Sequence, residues 1–303
     1  MNDAAEKFPD RAEYLGASEL AAVLGLNPWR SPLDVYLEKR GAVPPADLSD
    51  NQAVHFGNVL EDVVAQEFSR RTGLEVRRDN RELVHPRLPF VRGHIDRRIV
   101  GQKAGLECKT AGIRMAGQFG EAGTDEVPPS YLIQCAAYLA ITGFDEWHLA
   151  VLIAGNDFRT YRIPRDEELI AGIEARTKTF WACVQAGRPP EARSLDDIKA
   201  LYPTDAGTEI QATADLVSRC TSLAEVRRDI KELEAAEDAL KLEVQKAMGD
   251  HARLIGPDGK PLATWTTTIS KRLDTKRLEA DHPDLCAQYR IESAARRFLL
   301  KLK

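Results

Sequence analysis

The sequence contains no Cys-x-x-Cys pair, and its five cysteines (Cys108, Cys135, Cys183, Cys220, Cys286) are odd in number and scattered. That argues against a disulfide framework, a zinc ribbon and an iron–sulfur cluster, and it fits a reducing compartment. No apolar run reaches the roughly 18–20 residues that a membrane-spanning helix needs. No apolar signal core follows Met1, so a cytoplasmic location is expected. Internal repeats and long low-complexity tracts are absent, and aromatic residues, 7% of the chain, do not cluster as a single-strand-binding platform would require. An excess of positive charge is lacking too: 42 Lys and Arg stand against 47 Asp and Glu, a net −5. Taken alone, that balance speaks against a nucleic-acid partner. Whole-chain charge, however, governs solubility and long-range steering, not what a cleft binds.

What is present is an ordinary globular composition, 43% hydrophobic and 29% charged over 303 residues, enough for about two domains. Ser18 is placed to cap a short helix over Glu19–Leu24. Ser31-Pro32 opens another, with Ser as N-cap and Pro at the first helical position. Val59, Leu60, Val63, Val64 and Phe68 recur at helical spacing up to Gly73, which predicts a helix from Phe56 to Thr72. The period then changes to that of short strands: Leu74–Arg78, Glu82–His85, Phe90–Val100 and Gly105–Thr110. A helix over Tyr131–Thr142, a hairpin turning at Gly155-Asn156 and a long helix over Asp166–Ala186 follow. Beyond Pro203, Leu223, Val226, Ile230, Leu233, Glu237, Leu240, Val244 and Ala247 alternate by three and four, a heptad-like seam. Such a seam suits a helical hairpin, packing within the chain or a subunit contact. A strand-like stretch over Leu262–Ile269 and a helix near Asp274–Ala280 follow, and residues 271–303 carry nine Lys and Arg against five Asp and Glu.

One stretch carries chemistry. Gly93-His94-Ile95-Asp96 is followed, after ten residues, by Glu107-Cys108-Lys109. In a strand, Glu107 and Lys109 share one face. If the preceding strand pairs as a hairpin, Asp96 approaches Glu107, and two facing carboxylates repel unless a cation intervenes. Mg²⁺ takes oxygen ligands and keeps several waters, and a lysine beside it orients or deprotonates a water, which is equipment for phosphodiester hydrolysis. By itself the pattern is weak, because an exposed edge strand also carries Glu and Lys.

Five blocks in order add weight: Arg11–Glu19 (RAEYLGASE), Gly25–Gly41, Gly57–Phe68 (GNVLEDVVAQEF), His94–Lys109 and Tyr131–Gly143 (YLIQCAAYLAITG). Together they resemble the YqaJ-type viral recombinase family, related to lambda exonuclease, within the PD-(D/E)XK nuclease superfamily. Ile95 stands where the superfamily name has proline. The resemblance implies an α/β fold, a mixed sheet flanked by helices with a restriction-endonuclease-like core over 1–204. Residues 205–303 form a C-terminal extension with the heptad-like helix (about 215–249) and a basic hairpin and helix segment.

It further implies a Mg²⁺-dependent DNA exonuclease, Mn²⁺ being expected to substitute, that degrades one strand of linear duplex DNA 5′→3′ for phage-type recombination in a bacterial cytoplasm. Asp96 and Glu107 would hold the metal, with the Cys108 backbone carbonyl as a further ligand and Glu61 supporting from its helix. Lys109 would help activate the attacking water, and Gln134 would position the water, Lys109 or the phosphate. Arg11 and Ser18 match 5′-phosphate positions, although Ser18 equally suits a helix cap. Tyr131 and Tyr138, at helical spacing around Gln134, suit core packing. Lys271, Arg272, Lys276 and Arg277 are candidates for DNA backbone contacts. The expected partners are double-stranded DNA ends, a single-strand annealing protein and further copies of the chain, as a ring-shaped trimer. The alternatives are a structure-specific or endonucleolytic nuclease, or a non-catalytic DNA-binding scaffold that recruits a recombination partner.

Overall fold

The computed structural model describes residues 11–292 and 295–302. They divide into two compact units, with the boundary between Ile198 and Lys199. In chain order the first unit contains β1 (Leu15–Gly16), α1 (Leu20–Val23), α2 (Pro32–Lys39), α3 (Gln52–Thr72), β2 (Val76–Arg78), β3 (Leu83–Val84), β4 (Val91–Gly93), β5 (Arg97–Ile99), β6 (Ala104–Ala111), α4 (Pro129–Thr142), β7 (Glu146–Ile153), β8 (Asp157–Pro164) and α5 (Glu167–Ala186). The boundary falls within α6 (Leu195–Leu201), and the second unit holds α7 (Ala214–Met248), β9 (Arg253–Ile255), β10 (Pro261–Thr264), α8 (Thr275–Asp281) and α9 (Pro283–Gln288). This is the expected α/β architecture, a mixed sheet flanked by helices with a helical and small β extension.

The main sheet has the order β2-β5-β6-β7-β8. Only β6 and β7 run parallel; the other pairs are antiparallel. Side-chain alternation along β6 then sorts its residues between two faces. Ala104, Leu106 and Cys108 pack with Val64, Ala65 and Phe68 of α3. Gly105, Glu107 and Lys109 face the other way, toward α4, where Tyr138 packs on Trp147 with ring centroids 5.1 Å apart. Gly105 stands beside Trp147 in the β6–β7 register and leaves the space that the indole fills.

Local signals place most helix ends. Ser31 Oγ accepts from Asp34 N, and Asp34 reciprocates on Ser31 N, a capping box with Pro32 at N1. Gly73 closes α3 at φ 73°, the left-handed region that glycine enters without steric cost.

Four local expectations are corrected. The run Phe90–Val100 is not one strand. It splits into β4, which lies in a small sheet between β1 and β3, and β5 in the main sheet, and the chain changes sheets across His94–Asp96. Ser18 is not an N-cap. It sits exposed within a 3-10 turn, Ala17–Glu19, and the turn is closed by Glu19, whose Oε2 accepts from Gly16 N at 2.8 Å. Glu19 wins because it is buried and accepts from Lys39 Nζ (2.8 Å) and Arg30 Nη1 (3.2 Å). On α3 the buried face is Val64, Ala65 and Phe68, while Val59 and Val63 are about half exposed, because the first half of the helix packs little. The heptad seam does not fold back as a hairpin: α7 is one 35-residue helix whose seam residues Val226, Ile230, Leu233, Leu240 and Val244 are exposed.

Candidate active site

The β5–β6 register, Arg97 opposite Leu106, brings Asp96 against the middle of β6, where Cys108 N donates to Asp96 Oδ2 at 2.8 Å. The hairpin approach of Asp96 to Glu107 is therefore present. Glu107, 2% exposed, projects toward α4. Its Oε1 accepts from Gln134 Nε2 at 2.7 Å and is ion-paired with Lys109 Nζ. Gln134 Nε2 also donates to Tyr138 Oη (3.0 Å), and Tyr138 Oη donates to the carbonyl of His94 (2.8 Å), in the segment that leads to Asp96. The Tyr131 ring centroid lies 5.7 Å from Lys109 Nζ. Glu107 Oε2 is buried with no hydrogen-bond partner among the described residues.

The electrostatics follow from burial and like charge. Burial, then the Glu107 carboxylate, pushes the Asp96 carboxyl up to about 8, against the lowering effect of its bond from Cys108 N and of Lys109. Burial disfavours the charged form of Lys109, but the charge and hydrogen bond of Glu107, together with Asp96, outweigh it and hold its pKa above the ordinary lysine value. Lys109 is thus a cation at neutral pH. The Cys108 thiol lies in the core on the α3 side, and burial pushes its pKa up, so only its main chain borders the site. An orphaned, buried carboxylate oxygen beside a second carboxylate is a donor set that suits a hard divalent cation.

Glu61 is engaged by arginines, although its charge still acts on Asp96 and adds to the upward push on that carboxyl. Glu61 Oε1 accepts from Arg97 Nη1 at 2.6 Å, with Arg78 Nη2 at 3.8 Å. Arg97, 4% exposed, also donates to the carbonyl of Asp96 (2.7 Å) and to Asp62. Among the described residues no three His, Cys, Asp or Glu side chains gather closely enough to hold a metal together.

Arg11 lies in a 3-10 turn, Arg11–Glu13, and its carbonyl accepts from Lys39 Nζ at 2.8 Å. Arg11 and Ser18 are exposed on either side of β1, which pairs with β4, the strand that leads to Asp96. In the second unit Lys271, Arg272, Lys276 and Arg277 are exposed, the last two on α8, and Arg277 pairs with Asp281 at 3.3 Å. His94 is exposed, and Asp62 is tied to Arg97 and Arg78 rather than merely solvated.

Reading residues by type missed two participants. Tyr138, expected as packing, also links Gln134 to the Asp96 segment; its signal was the i,i+4 spacing from Gln134. Arg97 follows a candidate ligand directly, and a buried arginine next to Asp96 signals a local charge partner.

Residues 8–145 match the YqaJ-like viral recombinase domain family. Over 300 residues the chain is 35% identical to an uncharacterised protein, YqaJ, of Bacillus subtilis (strain 168), covering 96% of this chain and 92% of that protein. Among solved structures, it is similar to the alkaline exonuclease LHK-Exo of Laribacter hongkongensis at 20% identity and a TM-score of 0.48, covering 58% of this chain and 90% of that one. A phage-related exonuclease of Haemophilus somnus 129PT aligns at 18% identity and a TM-score of 0.42, covering 57% and 94%.

Proposed function

The chain belongs to the YqaJ-like viral recombinase domain family, and from that premise we propose that it is a divalent-cation-dependent DNA exonuclease that degrades one strand of linear duplex DNA 5′→3′. The observation that carries the reading is Glu107: a buried carboxylate whose Oε1 is fixed by Lys109 and Gln134 while Oε2 has no partner, next to Asp96. Asp96 and Glu107, with the Cys108 carbonyl, would hold Mg²⁺, or Mn²⁺ in its place.

When bound, that ion polarises the scissile phosphate and lowers the pKa of a water nearby. The remaining work falls to the chain. Lys109, held cationic by its carboxylate neighbours, stabilises negative charge that develops on the phosphate and orients the attacking water. Gln134 keeps the Glu107 carboxylate in one rotamer. Asp96, held protonated at neutral pH by burial and the Glu107 charge, would lose that proton where a cation is bound, the cation's charge offsetting the repulsion between the two carboxylates. Arg11 and Ser18 would receive the 5′-phosphate of the substrate end, and the Lys271, Arg272, Lys276 and Arg277 cluster would contact the DNA backbone. Assembly with further copies and delivery of the exposed 3′ strand to an annealing protein belong to the same reading.

The test is nucleotide release from end-labelled linear and circular duplex with Mg²⁺. Wild type is expected to degrade linear DNA only and to favour a 5′-phosphorylated end, with that preference lost in Arg11→Ala. Equal release by wild type and Lys109→Ala would sink the catalytic reading, and equal cutting of circular DNA would sink the exonucleolytic one.

A further inference from the structure

The second unit, residues 199–303, folds almost without an interior. Among its described residues only Met248 is buried, while on α7 Leu233 is 70% exposed and Leu240 64%. An apolar seam that runs the length of a 35-residue helix is the surface that a second helix covers in a coiled coil. Followed toward the N-terminus at the same three-and-four spacing, the seam continues through Arg219 to Leu216, so two charged residues interrupt it, Arg219 and Glu237. Charge also changes along the helix. Residues 214–231 hold four Lys or Arg against three Asp or Glu, and residues 232–248 hold two against five. A helix with a basic first half and an acidic second half complements its own reverse.

We infer that α7 pairs with α7 of a second copy of the chain as an antiparallel two-helix coil, with Ile230 against the partner's Leu233. In this register the helices overlap from 216 to 247, nearly their whole length. Glu237 then lies beside the partner's Val226 and next to the partner's Arg227, which Glu234 also meets. Arg219 lies beside the partner's Val244 and next to the partner's Glu243. Both breaks in the seam thus meet opposite charge, and the twofold axis repeats each pairing. Other arrangements of two copies fare worse. A parallel pair stacks Glu237 on the partner's Glu237 and Arg219 on the partner's Arg219. Sliding the antiparallel pair by one heptad sets Glu234 on the partner's Glu234 in one direction, and Arg227 on the partner's Arg227 in the other. Sliding by two leaves Leu223 or Leu240 uncovered. Within one chain these charges have only exposed neighbours: Arg219 pairs with Asp215 at 2.8 Å, Glu237 with Lys241 at 2.7 Å, and Arg227 stands 5.8 Å from the Phe298 ring. Such contacts are weak and yield readily to a desolvated seam.

The inference does not depend on the nuclease reading, and sedimentation equilibrium of the full chain tests it. Wild type is expected to self-associate at micromolar concentration. Leu233→Glu, shown to be folded by circular dichroism, should weaken that association about 100-fold or more, because each dimer would bury two carboxylates in its seam. Arg227→Glu and Glu234→Lys/Glu237→Lys should each weaken it about tenfold, whereas an equimolar mixture of the two, in which every flanking pair is of opposite sign, should form a one-to-one complex close to wild-type affinity. Orientation is read by mild oxidation in a chain that also carries Cys183→Ser, Cys220→Ser and Cys286→Ser, the remaining Cys108 and Cys135 being buried. Leu223→Cys mixed with Leu240→Cys should form a disulfide between chains, and neither alone should do so. A wild type that stays monomeric leaves the seam to a different protein and overturns the inference. An assembly that Leu233→Glu leaves unchanged, or a Leu223→Cys chain that cross-links to itself, overturns it as well.

Discussion

Gln134 Nε2 donates to Glu107 Oε1 across 2.7 Å, and this bond pins a carboxylate of the central sheet to the middle of α4. Lys109 shares the same oxygen, so the carboxylate has one oxygen occupied twice and one left open. Rotamer freedom at Glu107 is thereby removed before any ligand arrives, the kind of preorganisation that outer partners of metal ligands supply. Gln134→Ala is expected to lower kcat by about 10–100-fold with little change in KM. Tyr138→Phe removes the bond to the His94 carbonyl and is expected to cost about 1 kcal/mol of stability with a smaller loss of kcat. Steady-state kinetics and thermal unfolding check the pair; equal kcat in Gln134→Ala and wild type would remove Gln134 from the machinery.

Asp96 makes the protein pH-sensitive in a stated direction. Its folded-state carboxyl sits at about 8 against a reference of 3.8, raised by burial and by Glu107. As pH rises, the unfolded chain loses that proton first. The contribution of the protonated carboxyl is thus fully present below about 4 and is lost progressively up to about 8. Metal-free Asp96→Asn, which can still accept from Cys108 N, should therefore melt above wild type at pH 8, by roughly 4–8 °C, while losing activity. Mn²⁺ affinity of wild type should rise with pH, by about tenfold per unit where one proton is displaced, and level off beyond the Asp96 midpoint. Melting curves and calorimetry across pH 5–9 test both, and a pH-independent affinity would contradict the assignment.

Glu19 is expected to be a stability residue. It is buried, closes the turn at Gly16 and meets the ammonium of Lys39, itself buried. Glu19→Ala leaves Lys39, among the described residues, with the Arg11 carbonyl and the Tyr14 ring but no carboxylate, and should cost about 3–5 kcal/mol, the penalty of a buried charge that has lost its counter-charge. Lys39→Met should cost less, because Glu19 keeps Arg30 and Gly16 N. Denaturant melts of the two variants decide the order.

Gly105 is required by a close approach. A Cβ there would stand 2.3 Å from the Trp147 ring, which is fully buried between α4 and the sheet. Gly105→Ala should destabilise by about 3 kcal/mol or more, since neither the indole nor β6 can move without disturbing the site. A Gly105→Ala protein that melts within a degree of wild type would contradict this packing.

The sequence by itself determined the features whose causes are local. Ser31-Pro32 announces the start of α2 because the cap and the proline act within one turn. The glycines after α3, α4 and α5 sit at positive φ where the periodic apolar pattern stops. Glu107 and Lys109 share a face because strands alternate by two, and the motif order was enough to gather Asp96, Glu107, Lys109 and Gln134 as one group.

Tertiary structure decided the rest. The period-2 pattern over 90–100 reads as one strand because alternation does not record which strand is the partner, and only the two sheets show the chain changing partners at His94–Asp96. Local sequence does not name the partners of Glu61 and Glu107: one precedes Asp62 on a helix and the other stands two residues before Lys109 on a strand. What separates them is a guanidinium 36 residues away on one side and an amide 27 residues away on the other. A carboxylate's role is set by the charges that folding brings to it across space, and these are encoded by no spacing along the chain.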